Sequence, residues 1–269
     1  MTGEDHSKRD APPERILFEI RDNIAVVTLN RPQARNALDD AMRGEFVGVL
    51  DRIASDDSIR AVVLTGAGTA FCAGGDIKSM QQRLSAPAGK VAINGWRRQR
   101  RTHHAVTSLH ALDKPTIAAV NGPAAGLGCD LALACDFVMA SSSANFQMSY
   151  VLRGLVPDGG GLYFLPRRVG LARAKELFLS ARRVAADEAV SIGLADRMTS
   201  PDKLVADAVQ WARDLSKGSG PAISLTKTLL DNSLESSFEE ICAMGAEAQA
   251  ICYTTDEHRE SVAAFLKKD

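Results

Sequence analysis

The chain has little of what several common chemistries require. Its five cysteines (Cys72, Cys129, Cys135, Cys242 and Cys252) form an odd, scattered set with no C-x-x-C spacing. That pattern argues against a disulfide framework and against a zinc site. Reduced thiols in a cytoplasmic compartment are the expectation. His103 and His104 have no carboxylate or cysteine partners at ligand spacing, so no metal is expected. No segment ends in G-K-[ST] and none reads G-x-G-x-x-G, which removes the nucleotide-loop and dinucleotide signatures. The G-x-S-x-G serine elbow is also missing. With a net charge of −1 there is no whole-chain field to draw in nucleic acid or an anionic membrane. The least charged long stretch begins at Thr116, but Pro123, several glycines, Asp130 and Asp136 interrupt it. A membrane helix does not tolerate that combination, whereas a buried strand followed by a buried helix does.

What is present is ordinary soluble-protein material: 45% hydrophobic and 24% charged residues over 269 positions, enough for a sizeable core. Residues 1–14 are polar with no apolar h-region, and a disordered tail is expected there. ILFEI and IAVVTLN flank Asp22-Asn23 and read as a hairpin. An amphipathic helix is predicted over 39–53, with Asp39 as its cap. AVVLTG and TIAAVNG are apolar runs of the kind found in strands buried on both faces. Between them lie a glycine-rich loop and an arginine-rich segment predicted to be helical by 95–112. GLGCDLALACD reads as a short helix and FVMA as a strand. Helices are predicted at 161–169, 171–180, 187–192, 201–217, 220–232 and 237–252, with one more ending at Leu266. The alternation argues an α/β core over 15–200 and a helical region over 201–269.

Two features invite chemical readings. GLVPDGGG places Asp158 alone on a glycine corner in apolar surroundings, where it is either a helix N-cap or a catalytic acid/base. Arg97, Arg98, Arg100 and Arg101 form a basic run. A solvated helix face explains that run most simply. Contact with the phosphates of an anionic ligand is a second reading, and RNA binding a weaker third, since no aromatic residue is interleaved.

Four segments, taken in order, carry a resemblance: LNRPQARNAL, GAGTAFCAGGDIKSM, KPTIAAVNGPAAGLGCDLALACD and GLVPDGGGLYFLPRRVG. Together they resemble the crotonase superfamily, the enoyl-CoA hydratase/isomerase group. The resemblance implies an α/β (ClpP-like) spiral of ββα units with a C-terminal helical trimerisation region. It also implies homotrimers or hexamers built as dimers of trimers, and acyl-CoA substrates with no cofactor beyond the coenzyme A they carry. It places an oxyanion hole at the N–H groups of Gly75 and Leu127, the second at a helix start where an anion is favoured. It places coenzyme A against Ala37, Leu38, Ala73, Gly75, Asp76, Ile77 and Lys78.

The chain departs from a family hydratase at both water-holding glutamates. One position is Asp130, a methylene shorter, with a helix-structural role weighing equally against a supporting catalytic one. The other is Tyr150, expected to line the pocket. Asp158 matches the turn used by the isomerase branch, and the corner most resembles the epoxyphenylacetyl-CoA isomerase type. The expectation is therefore a double-bond isomerase with Asp158 as proton shuttle. The alternatives are a hydratase using Asp130, and a non-catalytic oligomeric binding protein on the same fold.

Overall fold

The computed structural model describes residues 14–267; the tail expected at 1–14 falls, but for Glu14, outside the described residues. The chain enters through β1 (Ile16–Arg21) and β2 (Ile24–Leu29), an antiparallel hairpin. Asp22 (φ 47°) and Asn23 (φ 67°) both adopt the left-handed conformation that a two-residue hairpin turn demands. Helix α1 (Asp40–Ser55) follows, its start held by the Asp39 carboxylate, which accepts from the Met42 amide at 2.9 Å. Strand β3 (Ala61–Gly66) leads through the glycine-rich loop into α2 (Ile77–Leu84) and α3 (Ala88–His110). Then come β4 (Thr116–Val120), β5 (Pro123–Ala125), α4 (Leu127–Ala134), β6 (Phe137–Ser141) and β7 (Asn145–Gln147). The remainder is α5 (Gly161–Val169), α6 (Leu171–Ser180), β8 (Arg183–Ala185), α7 (Ala186–Ser191), β9 (Arg197–Thr199) and four helices. These are α8 (Leu204–Leu215), α9 (Gly220–Asn232), α10 (Phe238–Cys252) and α11 (Asp256–Leu266).

Six strands form one sheet in the order β1-β2-β3-β4-β6-β9, parallel beyond the hairpin. β5, β7 and β8 form a second, smaller sheet. The apolar runs are continuous because the large sheet is covered on both sides. Ala25, Val27, Leu29, Val62, Leu64, Ala118 and Val120 point into the main core with Phe46, Leu50 and Phe146. Their alternates Ile24, Val26, Ala61, Val63, Ile117 and Ala119 pack instead on Leu204, Ala208 and Trp211 of α8. α8 lies beyond residue 200 in sequence, yet it closes the second face of the sheet.

The arginine-rich segment becomes helical earlier than its composition suggests. Asp76 caps α2 by accepting from the Ser79 amide at 2.9 Å, and α3 starts directly after Pro87. The buried residues of α3, Thr102, Ala105, Val106 and Leu109, lie in its C-terminal half, and the helix extends back from them through Gly89 and Gly95 along a largely exposed stretch.

Phe46, fully buried on α1, anchors that helix to the main core. Phe46→Ala is expected to cost about 3–5 kcal/mol, seen as a lowered urea midpoint. A midpoint within error of the parent would show that α1 does not depend on this contact.

Candidate active site

The site is built where three loop segments lie side by side. Residues 72–76 run between the 36–38 segment and β5. On one side the Leu38 amide donates to the Gly74 carbonyl (2.8 Å) and the Asp76 amide to the Leu38 carbonyl (3.2 Å). On the other side the Ala125 amide donates to the Cys72 carbonyl (2.9 Å). The approach is so close that only glycine fits at two points. A Cβ on Gly74 (φ 94°) would lie 2.7 Å from the Ala125 carbonyl oxygen, and one on Gly128 would lie 2.1 Å from that of Cys72. The same hypothetical Gly74 Cβ is 3.5 Å from the Leu127 nitrogen, which sets this loop against the start of α4.

The amides of Gly75 and Leu127 lie among these bonded neighbours, and neither donates a hydrogen bond among the described residues. Leu127 is the first residue of α4, where backbone N–H groups are unpaired by construction and the helix dipole favours an anion. Two free donors on adjoining rigid segments are what a developing oxyanion requires.

Asp130 sits one turn into α4, on the face of Leu127, and is fully buried. It accepts a hydrogen bond from the Tyr150 hydroxyl on Oδ2, while Oδ1 has no well-formed partner. Burial pushes its carboxyl up to about 7, and the neighbouring Asp158 charge adds to the effect. The Tyr150 hydroxyl and the nearby amides of Gly159 and Gly161 oppose it without cancelling it. Burial, followed by the Asp130 charge, drives the Tyr150 phenol far above its ordinary value, so it serves as a donor. The glycine corner is moulded on this carboxyl. A Cβ on Gly159 would come within 2.3 Å of Asp130 Oδ2, and one on Gly161 within 2.2 Å of Oδ1.

Asp158 is not the cap of α5. The cap position is Gly160 (φ 98°), with no side-chain capping bond. The half-buried Asp158 carboxylate forms no hydrogen bond or ion pair among the described residues, although its charge is felt by Asp130 and Tyr150. Asp130, Tyr150, Leu127 and the Asp158 corner are thus brought together.

The segments expected to meet coenzyme A are brought beside Gly75. Ala37 and Leu38 are buried, whereas Ala73, Ile77 and Lys78 are exposed. The Asp76 carboxylate is occupied: it caps α2 and pairs with Arg31 at 3.1 Å. Burial acts to raise its pKa, but the Ser79 amide and the Arg31 guanidinium outweigh it and hold the carboxyl below its usual value. Arg31 also lies 3.3 Å from Asp39 and donates to the Ala37 carbonyl, so one guanidinium ties the 36–38 segment, the start of α1 and the 72–76 loop. Buried Asn36 (φ 56°) donates to the Ala67 (2.9 Å) and Ala70 (2.7 Å) carbonyls and accepts from the Arg31 amide. Neither role is visible from local sequence. The signal was only that Arg31 and Asn36 fall inside LNRPQARNAL.

Residues 19–269 match the model of the enoyl-CoA hydratase/isomerase family. The chain belongs to that family. Among its relatives, the short-chain-enoyl-CoA hydratase of Clostridium acetobutylicum is 36% identical over 254 residues, covering 94% of this chain and 95% of the other. The 1,2-epoxyphenylacetyl-CoA isomerase of Escherichia coli is 35% identical over 255 residues, covering 95% and 96%. The crystal structure of an enoyl-CoA hydratase/isomerase from Cupriavidus metallidurans superposes with a TM-score of 0.87 at 35% identity, covering 96% of each chain. The α/β fold is therefore that of this family. Among the described residues no His/Cys/Asp/Glu cluster could hold a metal, and no helix is long and apolar enough to cross a membrane.

Asp130 makes a signed contribution to pH dependence. Its folded value of about 7 lies above the ordinary 3.8, so the native state binds the extra proton between those limits. That contribution is fully present below about pH 4 and is lost as pH rises through about 7, amounting to roughly 4 kcal/mol. Asp130→Asn should remove this term. Relative to the parent, the variant is expected to gain stability on going from about pH 5 to about pH 8 in paired urea titrations. Parallel pH profiles for parent and variant would show that Asp130 is ionised throughout.

Proposed function

We propose that this family member forms a thioester enolate from an enoyl-CoA and shifts its double bond, with Asp158 as the proton shuttle. The observation that carries this reading is the contrast between the two acids beside α4. Asp130 and Tyr150 hold each other in a dry pocket, while Asp158 stands unbonded on the glycine corner. The thioester oxygen would lie between the Gly75 and Leu127 amides, whose dipoles stabilise the charge that develops there. Asp158 would take a proton from the carbon next to the thioester and return it two carbons further along. One carboxylate suffices for that transfer. Coenzyme A would run along Ala37, Leu38, Ala73, Ile77 and Lys78, with Asp76 shaping the loop through its cap and its Arg31 pair. No cofactor beyond that coenzyme A is required.

A second reading, hydration with Asp130 handling the water, is favoured by its carboxyl standing at about 7 and by the hydratase names among the relatives. Incubating a 3-enoyl-CoA in D2O and following products by mass spectrometry separates the two. The expected result is 2-enoyl-CoA with no added water, and a loss of about 10²–10⁴-fold in kcat for Asp158→Asn with coenzyme A binding retained. Full activity in that variant would end the Asp158 assignment. Efficient water addition lost only in Asp130→Asn would establish the hydratase.

The C-terminal helices support a homotrimer or hexamer. Leu230, Phe238, Ile251 and Phe265 on α9–α11 and Leu234 in the turn between α9 and α10 are exposed, and Ala248 is the one buried residue of these three helices. Exposed apolar area on that scale marks an interaction surface. Sedimentation should give a trimer or its dimer, and Phe238→Asp should shift it towards smaller species; a monomeric parent would refute the assembly. The buried free thiols of Cys72, Cys129 and Cys135 suit a reducing cytoplasm.

A further inference from the structure

The basic run that begins at Arg97 has no part in the chemistry above. In the fold it faces α1 and α2 across a cavity of about 660 Å³. Five arginines line it: Arg15, Arg83, Arg97, Arg98 and Arg101. Two carboxylates are also present, but both are committed. Asp39 caps α1 and pairs with Arg15 and Arg31. Asp40 pairs with Arg43 at 2.5 Å and Arg101 at 3.4 Å.

That leaves Arg83, Arg97 and Arg98 without a carboxylate, and none of the three donates a side-chain hydrogen bond among the described residues. A solvated helix face would keep such groups in water. Instead Arg83 and Arg98 are half-buried, and the Arg98 Nε is shut away from solvent with no partner. Behind them Arg43 is buried, its own Nε likewise unpartnered. Burial lowers the Arg43 pKa and the Arg98 and Arg101 charges lower it further, against partial relief from Asp40. Burial, then the Arg98 charge, does the same to Arg83, against partial relief from Asp40 and Asp76. Several guanidiniums are therefore gathered at close range with too little opposing charge, in a cavity of the size that holds small ligands.

We propose that this cavity is a binding site for a phosphoryl anion carrying at least two negative charges, held by Arg83, Arg97 and Arg98. The guanidinium fork matches phosphate oxygens in pairs, and an anion there would relieve the mutual repulsion. The phosphoryl group could belong to the coenzyme A of the substrate or to a separate phosphorylated metabolite. Only the first source rests on the proposed function, so the two can fail separately.

Pyrophosphate is the probe. Titration calorimetry on the full-length protein should show saturable binding that weakens with added salt. Arg83→Gln and Arg98→Gln should each weaken it at least tenfold, with Arg98→Lys losing less than Arg98→Gln. Exposed Arg97→Gln provides a variant whose fold is not in question, and it should also weaken binding. Absence of binding to the parent, or unchanged affinity in all three glutamine variants, overturns the site. Where binding is found, competition by coenzyme A but not by its 3′-dephospho form assigns the site to the substrate's phosphate. Undiminished pyrophosphate binding with coenzyme A saturating assigns it to a separate ligand.

Discussion

The closeness of residues 72–75 to the start of α4 is the constraint on which the site depends. The loop is laddered on one side to the 36–38 segment and on the other to β5. Once those neighbouring amides and carbonyls are spent on holding the loop, the Gly75 and Leu127 N–H groups are left without acceptors among the described residues. Preorganisation here is a matter of backbone bonding, with side chains excluded: glycine at 74 and 128 is required because any Cβ would strike a carbonyl oxygen. Arg31 and Asn36 add polar staples from their own stretch to the glycine-rich loop after β3.

Electrostatics then divides the acids by task. Asp39 and Asp76 each combine a helix cap with a guanidinium pair, and both are held ionised below the usual carboxylate value. Asp130 lies at the other extreme, in a pocket dry enough to favour the proton. Asp158 stands at the border between that pocket and solvent, close enough to Asp130 that the charge on one bears on the other. Two neighbouring acids in different environments hold their protons differently, which is the contrast the proposed assignment rests on.

The elements most legible in the sequence were those whose pattern is complete within their own residues. AVVLTG coincides with β3, and the helices at 161–169, 171–180 and 220–232 have the bounds expected. β5, β7, β8 and β9 were missed because three residues carry no periodicity and form strands only by pairing with distant segments. The same limit applies to the site. The Asp-cap reading of Asp158 was open from sequence, since aspartate before a helix is common. The fold closes it by starting α5 after Gly160. The Tyr150–Asp130 bond joins residues 20 apart, and neither residue announces the other. The ordered family motifs could supply the positions of Gly75 and Leu127, but not the unbonded state of their amides.

The moulding of Gly159 and Gly161 around Asp130 also bears on how such a site can change over evolutionary time. The Asp130 carboxyl already fills the space that a Cβ on Gly159 or Gly161 would take, so a longer side chain at 130 has no free room on that side. Replacing Tyr150 by an acid would remove the donor to Asp130 and add a second charge to the same dry volume. Positions 130, 150 and 159–161 are thus coupled by direct contact, the size of each side chain being set against the others.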